Sequence, residues 1–184
     1  MKKSFLFNGK GGQGIIFTSV ILAKSAIESN LFSIQTQHYS AAQRGDVVKS
    51  LVLISNEEIY YPKVKEVDFF ISFNLKAYEI YKELIGKNTI VIFDSSYEDI
   101  NNNSIEGNFY KIPFTKISLE KFNLKEPMNL IALGFLSNFL DFINLNSFLL
   151  VINKLEKGNK KINIDAFMIG KELKIYSQKG GLNV

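Results

Sequence analysis

The sequence contains no cysteine in its 184 residues. That absence excludes disulfides, thiolate-held iron–sulfur clusters, cysteine nucleophiles and cysteine-based zinc sites, so any such centre must sit on a partner. The one histidine, His38, cannot build a metal cluster by itself and is expected to be a polar core or interface residue rather than an acid–base group. No catalytic residue and no metal ligand set is legible. The most apolar stretch, 129–153, is interrupted by Asn138, Asp141, Asn144 and Asn146. A membrane span needs about 20 consecutive, mainly apolar residues, so the stretch reads as two core-packing helices. The N-terminal apolar run stops at Asn8-Gly9, short of the roughly 7 to 15 residues of a signal peptide, and reads as a buried strand. A cytoplasmic protein without membrane contact is expected. Neither an internal repeat nor a linker divides the chain, so 1–184 is expected to be a single domain.

Charge is only weakly biased: 22 Lys plus Arg stand against 18 Asp plus Glu, a formal net charge of +4. A modest basic cluster, Lys154, Lys157, Lys160 and Lys161, reads as a solvated loop, with a docking patch for phosphate or an acidic partner as the alternative. Nothing in it calls for nucleic acid. With 46% hydrophobic residues the chain is neither disordered nor fibrous. Its 16 Phe and 8 Tyr are expected to fill a core and a subunit interface rather than stack on bases.

The order of patterns along the chain is that of an α/β fold. A first apolar strand leads into Gly9-Lys10-Gly11-Gly12-Gln13-Gly14 and then into a helix over 15–29, free of Gly and Pro. A second strand is expected over 32–39, with Phe32, Ile34 and Thr36 on one face and Ser33, Gln35 and Gln37 on the other. A polar loop ending in Arg44-Gly45 follows, then a β-branched strand over 47–55, whose short turn at 56–58 suggests an antiparallel hairpin with 59–61. Continuous apolar runs at 68–73 and 89–94 have the signature of parallel strands covered on both faces. Helices are expected over 77–85, from Pro127 to about Leu140, from a Ser147 cap to Leu155, and over 163–172, with a short strand at 109–112. The expected architecture is a three-layer α/β/α fold with a mainly parallel, Rossmann-like sheet and an appended β-hairpin.

Gly9, Gly11 and Gly14 satisfy G-x-G-x-x-G between a strand and a helix. Glycines allow a tight turn and close approach of a ligand, and a helix N-terminus presents unpaired N–H groups and partial positive charge to an anion such as phosphate. Two familiar uses are missing. A Walker loop needs Lys and then Ser or Thr after the last glycine, where Ile15-Ile16 stand; a dinucleotide site wants an acid at the end of the second strand, where Gln35 and Gln37 stand. Two readings remain on these residues alone: a phosphate-binding turn, or glycines that let the first helix pack closely on the sheet.

Gly9-Lys10-Gly11-Gly12-Gln13-Gly14-Ile15 resembles the G-x-G-G-Q-G-[IV] signature of the gamma subunit, or gamma domain, of 2-oxoacid:ferredoxin oxidoreductases. Further similarities follow in the family's order: Thr36-Gln37-His38-Tyr39 before Ala42-Gln43-Arg44-Gly45, then Lys49-Ser50, Tyr61-Pro62-Lys63-Val64 and Asp94-Ser95. Asn129-Leu130-Ile131-Ala132-Leu133-Gly134 and Asn163-Ile164-Asp165-Ala166-Phe167-Met168-Ile169-Gly170 resemble its N-x-x-x-L-G and N-x-x-A-F-x-x-G segments. Thr-Gln-x-Tyr before Arg-Gly is similar to the 2-oxoglutarate enzymes more than the pyruvate ones. The chain departs in Asp46, where a small residue usually follows Arg-Gly, and in Ser40-Ala41-Ala42-Gln43, which partly resembles the indolepyruvate type.

The resemblance implies an enzyme subunit inactive by itself, in a complex that decarboxylates a 2-oxo acid on thiamine diphosphate, passes electrons through iron–sulfur clusters to ferredoxin and releases an acyl-CoA. Thiamine diphosphate, magnesium and the clusters are then expected on partner subunits, and this chain has no Gly-Asp-Gly start of a thiamine-diphosphate motif, since Val47 follows Gly45-Asp46. Its implied share is to help bind the phosphorylated end of coenzyme A, with Gly9, Gly11, Gly12, Gln13 and Gly14 against a phosphate or a partner's backbone. Arg44, a permanently charged fork, is the companion candidate. An autonomous nucleotide-binding domain, and a pyruvate or indolepyruvate type of subunit, are the alternatives.

Overall fold

The computed structural model describes residues 1–39, 47–60, 64–97, 108–156 and 158–173. Its strands are β1 (Lys2–Lys10), β2 (Phe32–Tyr39), β3 (Val47–Ser55), β4 (Val67–Ser72), β5 (Ile85–Asp94) and β6 (Asn108–Ile112). The helices are α1 (Ile15–Glu28), α2 (Leu75–Tyr81), α3 (Phe114–Phe122), α4 (Met128–Leu136), α5 (Leu145–Asn153) and α6 (Lys160–Glu172). One six-stranded sheet has the order β2-β3-β1-β4-β5-β6. β1, β4, β5 and β6 are parallel, while β3 runs against both of its neighbours, β1 and β2. Among the described residues no helix is long and apolar enough to cross a membrane.

The apolar runs set the layering. Side chains alternate across a strand, so a strand apolar at every position must be covered twice. On one face Phe5, Phe7, Val52, Ile54, Phe69, Ile71 and Ile92 pack with α1 and α3 to α6 in the larger core. On the other, Leu6, Phe70, Val91, Phe93 and Phe109 close around Tyr78 of α2. The Tyr78 ring meets Phe70, Phe93 and Phe109 edge-on, at centroid distances of 5.8, 6.0 and 6.3 Å. The expected three-layer, mainly parallel architecture is thus observed.

Four local expectations are corrected. The antiparallel pairing of β3 is with β1, from Lys2↔Ser55 to Lys10↔Val47, and with β2, from Phe32↔Ser55 to Tyr39↔Val48. With both edges of β3 occupied by long partners, Ile59 and Tyr60 have no strand to join, and they lie in irregular backbone. Second, α2 starts at Leu75, where Asn74 Oδ1 accepts from Ala77 N at 3.2 Å, and ends at Tyr81; a 3₁₀ turn, Lys82–Leu84, leads directly into β5. Gly86 therefore belongs to a strand, where a Cβ would collide with the Glu66 carboxylate. Third, the cap of α5 is Asn144, whose side chain accepts from Asn146 N; Ser147 is buried and meets Ser29 Oγ at 2.9 Å. Fourth, α6 opens at Lys160 behind an Asn159 cap, a turn ahead of the expected start.

The glycines of the two late motifs explain themselves in the α4–α6 crossing. A Cβ on Gly134 would collide with Phe167 O, and one on Gly170 with Ile131 O. The helices touch backbone to backbone, a distance only glycine permits. In an open helix position Gly→Ala stabilises by roughly 0.5–1 kcal/mol, but here overpacking against backbone reverses the sign. Gly134→Ala and Gly170→Ala are each expected to lower unfolding free energy by about 1–3 kcal/mol in denaturant titration; unchanged midpoints would mean that the helices cross further apart.

At the opposite end of the sheet from the glycine turn, Asp68 ties β4 to β1. Burial disfavours its carboxylate, but bonds from Lys3 Nζ (3.0 Å), Ser4 Oγ (2.8 Å) and Ser4 N (2.9 Å), with the Lys3 charge, outweigh that and lower its pKa. A depressed folded pKa contributes stability above the unfolded value, lost as pH falls through the folded one. The stability difference between the wild-type protein and Asp68→Asn should therefore be full at neutral pH and shrink below about pH 4. A difference independent of pH would remove the charge from this account.

Candidate functional site

The chain leaves β1 by a turn and returns as α1 on the larger-core face, whereas α2, which follows β4, lies on the other face. Successive connections thus diverge between β1 and β4, the place where open α/β sheets hold ligands beyond their carboxyl ends. The glycine turn stands at this point. β2 ends at the same edge, and β3 begins there, with Val47 opposite Lys10 and Val48 opposite Tyr39. Both ends of the connection that carries Arg44 are therefore anchored beside the glycine turn. Arg44 itself falls outside the described residues, as do Asp46 and the side chains of His38 and Tyr39.

Within the turn each residue has a distinct task. Gln13 N donates to Lys10 O at 3.2 Å, and Gln13 Oε1 accepts from Lys10 N at 2.6 Å. Its Nε2 donates to Phe73 O at 2.9 Å, while Phe73 N donates to Asn8 O at 3.0 Å. The Gln13 amide is thus a brace between the turn and the end of β4, accepting at its oxygen and giving one N–H of its nitrogen. Gly9 makes room for that brace: a Cβ there would lie 2.7 Å from both Gln13 Oε1 and Ile15 Cδ1. Gly12 and Gly14 have left-handed φ values of +88° and +76°. They differ in surroundings. A Cβ on Gly12 would meet nothing within 4 Å, while one on Gly14 would collide with Asn129 Nδ2. Gly11 is exposed beside Gly12.

Gly14 is the N-cap of α1 and offers no side-chain cap, and the first turn of the helix carries no acid. Among the described residues, the N–H groups of Ile15, Ile16 and Phe17 have no acceptor, whereas Thr18 N already reaches Gly14 O at 2.9 Å. The turn thus presents open space at Gly12, unaccepted donors and the positive end of a 14-residue helix, with Lys10 exposed alongside. Such a surface is chemically suited to an anion with several oxygens.

Other candidates are engaged elsewhere. Asp94 accepts from Ser96 N at 3.1 Å and from Thr115 Oγ1, so it joins the turn after β5 to the start of α3. Gln35, where a dinucleotide site would hold a ribose, donates to Ser50 Oγ at 2.7 Å; Ser50 bonds in turn with Ser19 of α1 at 2.8 Å and Thr36 O at 3.1 Å. That network fastens α1 to the sheet. Lys154 of the basic cluster pairs with Glu28 at 3.0 Å. Asn129 is the residue that inspection of the sequence left unassigned beyond its place in a motif. Its one signal is that it is the polar residue of an otherwise apolar helix, Met128–Leu136.

The model of the pyruvate ferredoxin/flavodoxin oxidoreductase family matches residues 4–173. The sequence is 34% identical over 176 residues to 2-oxoglutarate synthase subunit KorC of Methanocaldococcus jannaschii, covering 94% of each chain. It is 30% identical to the subunit of the same name from Methanothermobacter marburgensis, covering 97% of this chain and 100% of that one. The fold superimposes with a TM-score of 0.82 and 26% identity on 2-oxoglutarate:ferredoxin oxidoreductase from Magnetococcus marinus, solved with 2-oxoglutarate, coenzyme A and succinyl-CoA bound. That match covers 92% of this chain but spans only 30% of the other. The gamma subunit of a keto/oxoacid ferredoxin oxidoreductase from Geobacter sulfurreducens shares the fold at a TM-score of 0.79 and 21% identity, over 92% of this chain and 96% of that one.

The brace is directly testable. Gln13→Ala removes the acceptor of Lys10 N and the donor to Phe73 O, and is expected to cost about 1–3 kcal/mol of stability. Hydrogen exchange at the Lys10 amide should accelerate in the variant; unchanged protection would show that this amide has another acceptor.

Proposed function

Because the chain belongs to the pyruvate ferredoxin/flavodoxin oxidoreductase family, we propose that it is the gamma subunit of a 2-oxoglutarate:ferredoxin oxidoreductase and that its glycine turn helps hold the phosphorylated end of coenzyme A. In the whole reaction the bond between the carboxylate and the keto carbon of 2-oxoglutarate breaks and carbon dioxide leaves. Two electrons pass to ferredoxin, and the remaining acyl group joins the CoA sulfur as its proton is released. Likeness to KorC subunits over 94% and 97% of this chain supports the choice of 2-oxo acid. The observation that carries the CoA assignment is the turn itself, open at Gly12 in front of the unaccepted N–H groups of α1.

Redox chemistry and decarboxylation fall to partner subunits in this reading. The chain has no cysteine to hold a cluster. Among the described residues no group of three or more His, Asp or Glu side chains is placed to hold a metal ion. Partners bearing thiamine diphosphate and iron–sulfur clusters would complete the active site, with this chain forming one wall of it. Arg44 belongs to the same proposal, because its connection is anchored at the edge where the turn stands.

Gly12→Asp isolates the binding role. Asp tolerates a left-handed backbone better than most residues, space is open around the position, and a carboxylate at a helix N-terminus is favourable to folding. Yet it would repel a phosphate. In the complex assembled with its partner subunits, 2-oxoglutarate-dependent ferredoxin reduction should show KM for CoA raised about tenfold or more, with KM for 2-oxoglutarate unchanged. An unchanged KM for CoA, or equal activity of a complex lacking this chain, would overturn the proposal.

A further inference from the structure

We infer that Asn129 is a further binding residue of the same site, whose side-chain amide supplies a hydrogen-bond donor to a phosphate of CoA at the N-terminus of α1. This rests on the CoA reading and adds the side chain that discriminates the anion. The amide end of Asn129 is turned towards Gly14: Nδ2 is the atom nearest a Cβ built there, with Cγ at 3.0 Å and Cβ at 3.5 Å behind it. Asn129 is only 6% exposed. Among the described residues its side-chain amide has no hydrogen-bond partner, and it is not one of the fully enclosed unbonded groups, so the little exposure that Asn129 keeps includes its amide.

Capping its own helix does not account for it. The first N–H groups of α4 are already accepted, Met128 N by Lys125 O at 3.1 Å and Leu130 N by Pro127 O at 3.0 Å. Close packing on Gly14 does not itself require an amide, since every other residue of the nine in α4 is apolar or glycine. What lies in front of the amide is the cap residue of α1, next to the unaccepted N–H groups of Ile15, Ile16 and Phe17. Neither helix has an acid in its first turn to compensate these donors. Several donors from two elements converging without an acceptor fit a phosphate, which brings oxygens in several directions. The Gln13 amide is held in place by its bonds to Lys10 N and Phe73 O, with one N–H of its nitrogen already given to Phe73 O.

The test is made on the assembled complex with CoA, with 2-oxoglutarate, and with the nucleotide fragment of CoA, which carries the phosphates but no thiol arm, as competitive inhibitor. Asn129→Asp keeps the shape but places a carboxylate between the donors, so Tm should stay the same or rise. KM for CoA and the inhibition constant of the fragment should both rise about tenfold or more, with KM for 2-oxoglutarate unchanged. Asn129→Ala removes the donor without adding charge and should raise both constants by a smaller factor, so a failure of the Asp variant to assemble leaves the test intact. A fall in Tm with unchanged constants would reduce Asn129 to a structural role and overturn the inference. If Gly12→Asp raises KM for CoA and neither Asn129 variant does, only the role of Asn129 falls. If Gly12→Asp leaves it unchanged as well, the CoA reading falls with it.

Discussion

Strand β1 is bonded along both edges, antiparallel to β3 and parallel to β4, with Phe5, Leu6 and Phe7 buried against both layers. A strand held in this way fixes where the chain leaves the sheet, and α1 begins within five residues of its end. That constraint governs the turn. Reversal at Gly12 and Gly14 requires left-handed backbone, and the space under Gly9 is filled by the Gln13 amide that locks the turn to β4. The helix that follows therefore starts at a defined point above the sheet with its first N–H groups uncovered. A flexible exit from β1 would still allow an α/β fold, but it would not hold those donors in one place.

Stability and function meet in α4. Its middle crosses α6 at Gly134 and Gly170, and its first turn brings Asn129 against Gly14. α4 is a short helix of nine residues, so the depth of its crossing with α6 bears on the position of Asn129 in its first turn. The glycines of the two late motifs thereby bear on the candidate site through the helix that carries Asn129. The network of Gln35, Ser50 and Ser19 has a similar part, since it fixes α1 to β3 behind the turn. Polar side chains here hold elements in register, and the groups left open at the turn are mostly backbone N–H groups.

Much of this was legible in the linear sequence because the signals are local. Strand β3 over 47–55 and β2 over 32–39 follow from β-branched and alternating residues; the layer count follows from strands apolar at every position. The family resemblance carried by Gly9 to Ile15 and by the later motifs is borne out by the family match over 4–173. Failures came where a local preference competed with a distant partner. Ile59 and Tyr60 look like a returning strand until β1 and β2 occupy both edges of β3. Ser147 looks like a cap until Ser29, far away in sequence, takes its hydroxyl.

The sequence by itself determined the class of fold, the order of strand, glycine turn and helix, the exclusion of cysteine-held centres and the resemblance to a family, because each depends on composition or on neighbours along the chain. Only the tertiary structure decided what each turn residue does: that Gln13 is occupied as a brace, that Gly12 faces open space, and that Gly14 lies under Asn129, more than a hundred positions away in the chain. The physical reason is that a glycine or an amide has no role written in its own chemistry. A bare Cα serves close packing or ligand approach according to what stands beside it, and a carboxamide is a brace or a free donor according to whether its hydrogens already have acceptors. Those neighbours are supplied by the crossing of distant helices and the pairing of distant strands.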